Sequence, residues 1–300
     1  MKEIHDFRIL ARQQRGERYF TLVLQHGGKM QPVAPGQFVE VLVEGEPGVM
    51  LRRPISVHDV DEQAGTLSLL IQIVGNGTRR LSELKVGDPL NLVYPLGHGF
   101  SIPTTLHTPS PLRGTPPSLG GEQLTQEEPT DSSPRLGEGD RPKGGGGVYR
   151  ALLVGGGAGI APLLHLAKVL KAKGVSCTIL LGGRTASLIP VRDEFHPYGE
   201  VCLSTDDGSL GHKGLVVENP AFAASYDIIY TCGPTPMMKA VARSAAERGI
   251  RCEVSLENMM ACGVGACLCC VTDTDDGHRC VCKDGPVFDI STMKKWYTNK

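Results

Sequence analysis

Aromatic residues are scarce in this 300-residue chain, 5% of the total with one tryptophan, and no cysteine occurs before residue 177. Neither charge sign dominates, with 31 Lys+Arg against 32 Asp+Glu, which removes the electrostatic footprint of a nucleic-acid or anionic-membrane partner. The longest apolar run, Ala151 to Leu164, is rich in glycine and too short to span a bilayer. The opening Met-Lys-Glu-Ile-His-Asp mixes charges and lacks an apolar core, so neither export nor membrane insertion is expected, and a cytoplasmic location is. With 40% hydrophobic and 21% charged residues the composition is that of an ordinary globular protein. At roughly 150 residues per domain the length suggests about two domains, each able to bury a core without staples.

What is present in excess is glycine and clustered sulfur. The 38 glycines exceed the roughly 7% average, so many backbone positions turn sharply or lie close to something. Six of the 10 cysteines (Cys262, Cys267, Cys269, Cys270, Cys280 and Cys282) fall within 21 residues. Without an export signal such a cluster reads as metal ligation rather than a disulfide framework.

Residues 1–100 alternate in short segments, Tyr19 to Leu24, Gln37 to Val43, Thr66 to Ile73 and Pro89 to Val93, punctuated by Gly, Pro and Asp, which predicts a small antiparallel barrel or sandwich. Residues 101–147 hold eight prolines, nine glycines and no aromatic, too little apolar surface to offset ordering, and are expected to form a disordered insertion. Over residues 148–250 strands (Ala151 to Val154, Ser176 to Leu181, Asp227 to Cys232) alternate with helical spacing (Ala161 to Lys173, Thr235 to Arg248), predicting a parallel sheet with covered faces. Gly174 and Gly249 stand where helices should end. Residues 251–300, rich in glycine and cysteine, form a third segment expected to be organised by a metal centre.

The most specific motif is Cys262-x4-Cys267-x2-Cys270, followed after eleven residues by Cys282, the spacing of a [2Fe–2S] centre. Thiolates are soft donors suited to iron, and the intervening glycines let backbone N–H groups approach the sulfurs. A zinc knuckle of Cys267, Cys270, Cys280 and Cys282 is the competing arrangement; Cys269 and Cys280 otherwise read as small buried hydrophobes beside the site. The second motif, Gly155-Gly156-Gly157-Ala-Gly159-Ile-Ala-Pro162, lacks the third glycine of G-x-G-x-x-G. Its mechanism survives, since glycines between strand and helix admit a diphosphate to the helix N-terminus; a purely structural turn is the alternative. Cys232-Gly233-Pro234 follows a later strand, where ligands of such sheets bind. There Cys232 either lines a hydride-transfer pocket, as a catalytic candidate, or is a buried structural thiol. In the first half, Arg52-Arg53-Pro54-Ile55-Ser56 offers a guanidinium for a diphosphate and a hydroxyl for a flavin edge, and Gly75-Asn76-Gly77-Thr78 follows a strand.

Taken in order, Arg53 to Ser56, Gly75 to Thr78, Tyr94-Pro-Leu-Gly97, Gly155 to Pro162, Asp206-Asp-Gly-Ser209, Cys232 to Met237 and Met260 through Pro286 resemble the electron-transfer subunit of class 1B dihydroorotate dehydrogenase, in the ferredoxin–NADP reductase superfamily. The likeness covers nearly everything but the insertion. It implies an FAD-binding antiparallel β-barrel, an NAD-binding α/β domain and a small C-terminal [2Fe–2S] subdomain. It further implies that Arg53, Pro54, Ile55 and Ser56, with Ile71, Gln72, Ile73, Gly77 and Thr78, hold FAD, and that Cys262, Cys267, Cys270 and Cys282 ligate the cluster. Gln72 stands where the family commonly has arginine.

Nicotinamide exchanges a hydride, an iron–sulfur cluster one electron at a time, and a flavin does both, so a chain holding all three is a converter. No acid–base pair for a second organic substrate is evident, so the electrons come from, or go to, another protein. The resemblance implies an FMN-containing catalytic subunit that oxidises dihydroorotate in pyrimidine biosynthesis, two copies of each chain in the assembly, and NAD+ as acceptor. Related sulfide dehydrogenase or NADH-dependent ferredoxin:NADP oxidoreductase subunits, and a redox-sensing iron–sulfur scaffold, are the alternatives. No residue that distinguishes NAD from NADP can be placed.

Overall fold

The computed structural model describes residues 2–103 and 148–298, so most of the expected insertion lies outside the described residues. Six antiparallel strands close a barrel in the order β1-β2-β5-β4-β3-β6: β1 (Glu3–Arg15), β2 (Tyr19–Gln25), β3 (Phe38–Val41), β4 (Arg53–Asp61), β5 (Thr66–Gln72) and β6 (Pro89–Leu96). Closure leaves no open sheet edge. Alternation along β3 splits its side chains. Val39 and Val41 enter the barrel core with Leu22, Leu69 and Leu92, while Phe38 turns outward with Leu96 into a second apolar body. A short helix, α1 (Asn76–Ser82), follows β5.

The second unit is a seven-stranded sheet in the order β10-β9-β8-β7-β11-β12-β15. Its strands are β7 (Arg150–Gly156), β8 (Ser176–Gly183), β9 (Glu200–Thr205), β10 (His212–Lys213), β11 (Ile228–Cys232), β12 (Arg251–Ser255) and β15 (Val287–Asp289). All pairings are parallel except β12 with β15. Continuous burial along Ala151–Gly156 and Ile228–Cys232 is the mark of strands covered on both faces. Helix α2 (Ala161–Ala172) packs on β4 of the barrel, and α3 (Thr235–Glu247) on β12. Both helices end at glycines with left-handed φ, Gly174 at 77° and Gly249 at 63°, as their positions predict.

A two-stranded ribbon, β13 (Val271–Thr274) with β14 (Gly277–Cys280), and two short helices, α4 (Val281–Asp284) and α5 (Lys294–Thr298), complete the chain. The segment from Arg251 is not organised by a metal centre alone. β12 and β15 extend the parallel sheet, and Cys270, Cys282, Phe288 and Met293 share one apolar body with Val254 and Met238. Ser101, at the start of the expected insertion, is tethered: its N–H and hydroxyl both donate to the buried Glu253 carboxylate, and Tyr230 Oη donates to its carbonyl at 2.7 Å.

Candidate functional site

The cysteine loop is built to aim amides at sulfur. Gly263, Gly265 and Leu268 take left-handed φ values of 64°, 83° and 60°, which turns successive N–H groups inward. Val264, Ala266 and Cys267 N–H donate to Cys262 Sγ at 3.5, 3.3 and 3.4 Å; Gly265 N–H donates to Cys282 Sγ at 3.1 Å, and Cys282 N–H to Cys270 Sγ at 3.4 Å. The Val264 amide foremost, with those of Cys267 and Ala266, holds the Cys262 thiol down at about 6 against the opposing effect of burial. Cys270 and Cys282 are buried and Cys267 is exposed. Among the described residues no amide donates to the sulfur of the exposed Cys269 or the buried Cys280.

The donor set fits two irons better than one zinc. Four sulfurs on one zinc at about 2.3 Å would lie ~3.8 Å apart. Among the described residues the one group of three ligand atoms within 4.8 Å is Glu3, His5 and His26, and it contains no cysteine. That group is a hydrogen-bond network instead: His26 Nδ1 accepts from Gly28 N–H at 2.9 Å, and its other nitrogen faces Glu3 at 3.3 Å.

A cavity of about 380 Å³ lies beside this loop, lined by Arg53, Pro54, Ile55 and Ser56 at the start of β4, by Gln72 and Thr78, and by Leu256 to Met260. A Cβ on Gly77 would meet Arg53 Nε at 2.9 Å, so the glycine lets the guanidinium lie across α1. Thr78 Oγ1 accepts from Val74 N–H at 2.9 Å and donates to Gly75 O at 3.1 Å, fixing the turn. Ile71 and Ile73 do not line this cavity; Ile71 is in the barrel core and Ile73 packs against it.

A second cavity, about 540 Å³, opens beyond the carboxyl ends of β7 and β11, where the strand order reverses. Ligands of open α/β sheets bind in this crevice. Gly156, Gly157 and Pro234 line it; Gly155, Gly159, Cys232 and Gly233 do not. Those glycines serve packing: a Cβ on Gly159 would sit 2.4 Å from Gly233 Cα, and one on Gly155 2.8 Å from Leu163 Cδ1. Cys232 is fully buried, its thiol pushed well up by that burial, and it faces Glu257 Oε1 at 3.8 Å. Glu257 lines both cavities, and the protein around it raises its carboxyl as well.

Gln72, Ala158 and Glu257 belong to both linings, so the two cavities meet at these three residues. Sequence reasoning overlooks Glu257 and Tyr19, whose buried hydroxyl has no hydrogen-bond partner and which lines the larger cavity. The signal for Glu257 is its place two residues past the end of β12. For Tyr19, on a barrel strand, no such signal exists.

Barrel, sheet and cysteine loop together define a flavin- and iron–sulfur-bearing reductase of the ferredoxin reductase type. Comparison with known proteins narrows this. The model of the iron–sulfur cluster binding domain of dihydroorotate dehydrogenase B matches residues 257–294. The dihydroorotate dehydrogenase B (NAD(+)) electron transfer subunit of Geobacillus thermodenitrificans is 34% identical over 284 residues, covering 93% of this chain and 94% of that one. That of Caldanaerobacter subterraneus subsp. tengcongensis is 34% identical, covering 94% of each. Among solved structures, an NADH-dependent reduced ferredoxin-NADP oxidoreductase chain aligns with TM-score 0.73 and 27% identity over 98% of this chain and 94% of its own. The ferredoxin reductase of carbazole 1,9a-dioxygenase shares the fold at TM-score 0.61 and 20% identity, over 83% of this chain and 67% of its own. The chain belongs to the family of dihydroorotate dehydrogenase B electron transfer subunits.

Proposed function

We propose that this chain carries electrons taken from dihydroorotate by an FMN-containing catalytic subunit to NAD+, in the cytoplasm, as one step of pyrimidine biosynthesis. The observation that carries the reading is the meeting of the two cavities at Gln72, Ala158 and Glu257, with the cysteine loop flanking the smaller one. When bound, FAD exchanges hydride with nicotinamide and single electrons with a [2Fe–2S] cluster.

The chain's own residues supply position and field. Cys262, Cys267, Cys270 and Cys282 would hold the cluster, with the inward amides offsetting its negative charge. Arg53 lines the smaller cavity with Gly77 clearing space for its side chain, so its guanidinium would face a diphosphate there, and Ser56 lines the same cavity. Gly156 and Gly157 would bring bare backbone to the nucleotide, and Pro234 lines the cavity beside them, its Cδ 3.0 Å from where a Gly156 Cβ would stand. Glu257 stands where the two cavities meet, and its carboxyl accepts a hydrogen bond from the Cys232 thiol.

Anaerobic co-expression with the FMN subunit tests the proposal. Expected are one FAD, two irons and two sulfides per chain and dihydroorotate-dependent NAD+ reduction. A colourless chain with zinc and no flavin would overturn it.

A further inference from the structure

Glu40 is 1% exposed, and neither of its carboxylate oxygens has a hydrogen-bond partner. It lies on β3 with its side chain turned outward from the barrel, directly beneath the cysteine loop. A Cβ on Gly263 would meet Glu40 Cγ at 2.8 Å and Oε1 at 3.2 Å, so the glycine after Cys262 is what lets the loop settle on this carboxyl. Across the strand, Glu40 pairs with Pro54, within the Arg53–Ser56 segment that lines the smaller cavity. It therefore stands between the candidate flavin and cluster positions.

Arg52 and Arg53 partly offset its burial, but among the described residues neither forms an ion pair with it. Arg52 is spent on the barrel backbone: it donates to Glu40 O and Asn91 O, both at 3.2 Å, and to the Asn91 side chain. A dry carboxyl without a partner is costly and needs a reason. Packing does not provide one, because Leu96, whose Cδ1 lies 3.3 Å from the same Cβ position, shows that an apolar side chain suits this interface.

We propose that Glu40 sets the reduction potential of the cluster bound by the loop above it. The inference rests on the cluster assignment made under the proposed function. Burial pushes the Glu40 carboxyl up to about 7, so it is fully ionised only above neutrality. Once ionised, a negative charge in this low-dielectric seam opposes placing an electron nearby, and net charge, sulfur hydrogen bonding and exposure are the levers on such potentials. The ionised Glu40 holds the cluster low, which favours onward transfer to the flavin on the other side of β3.

The full chain, purified anaerobically with its cluster, is titrated by EPR in alkaline buffer beside Glu40→Gln, Glu40→Asp and Leu96→Ala. Glu40→Gln is expected to keep iron and sulfide content and raise the midpoint potential by about 59 mV, a tenfold change in a one-electron equilibrium. Glu40→Asp retains the charge and should lie between the two. An unchanged potential in Glu40→Gln with the cluster intact overturns the proposal, as does an equal shift in Leu96→Ala, which alters packing without charge. A wild-type chain that binds no iron overturns the cluster assignment itself, and the two failures are thus told apart.

Discussion

Glu257 and Gly159 illustrate how single side chains divide the work at the crevice. Glu257 lines both cavities, so Glu257→Gln should leave flavin and iron content intact and slow hydride transfer about 10²-fold in stopped-flow reduction. Gly159 touches neither cavity, yet its missing side chain lets the ends of β7 and β11 close to backbone contact. Gly159→Ala should cost about 1–3 kcal/mol by overpacking, read as a lower Tm together with weaker NADH binding. That the C-terminal segment binds an iron–sulfur cluster was legible, because its cysteines fall within one short stretch of sequence. Glu257 and Tyr19 were not, since 238 positions separate two side chains that only the folded chain brings to one wall.

Among elements, the strand–glycine–helix unit of β7 and α2 was readable from its switch of apolar period, and the Gly174 end from its φ requirement. β1 and β4 were missed for a physical reason. β1 is paired on both sides, but only Phe7 and Ile9 along its 13 residues are buried, so it offers too few apolar positions for its alternation to stand out in the sequence. β4 spends His58 and Asp59 on the contact with α2 rather than on the barrel core. The cysteine loop makes its own prediction: serine at Cys262, Cys267, Cys270 or Cys282 should abolish iron binding, while Cys269→Ser and Cys280→Ser should retain two irons per chain by colorimetric assay. Stoichiometric iron in Cys282→Ser would refute the ligand set.

The barrel and the sheet are joined by buried and half-buried charge. His58 bonds Ala161 O at 2.9 Å and Glu194 Oε2 at 3.2 Å, Arg15 pairs with Glu194, and Lys168 Nζ reaches both Asp59 oxygens at 3.1 Å. Burial works against ionising Glu194 and Asp59, but His58 and Arg15 at Glu194, and His165, the Val60 backbone and Lys168 at Asp59, outweigh it and hold both carboxyls below their ordinary values. The stabilisation is therefore complete above the ordinary carboxylate range near pH 4 and is lost as pH falls through the lowered values. Tm measured across acid pH should fall more steeply in the native chain than in Glu194→Gln, and parallel slopes would discount the pair. Phe38 and Leu96 of the barrel pack in the same apolar body as Cys282 and Met238. Because Phe38 also lines the smaller cavity, stripping iron from the loop with a chelator should loosen the barrel's hold on its pigment, read as a lower retained flavin content.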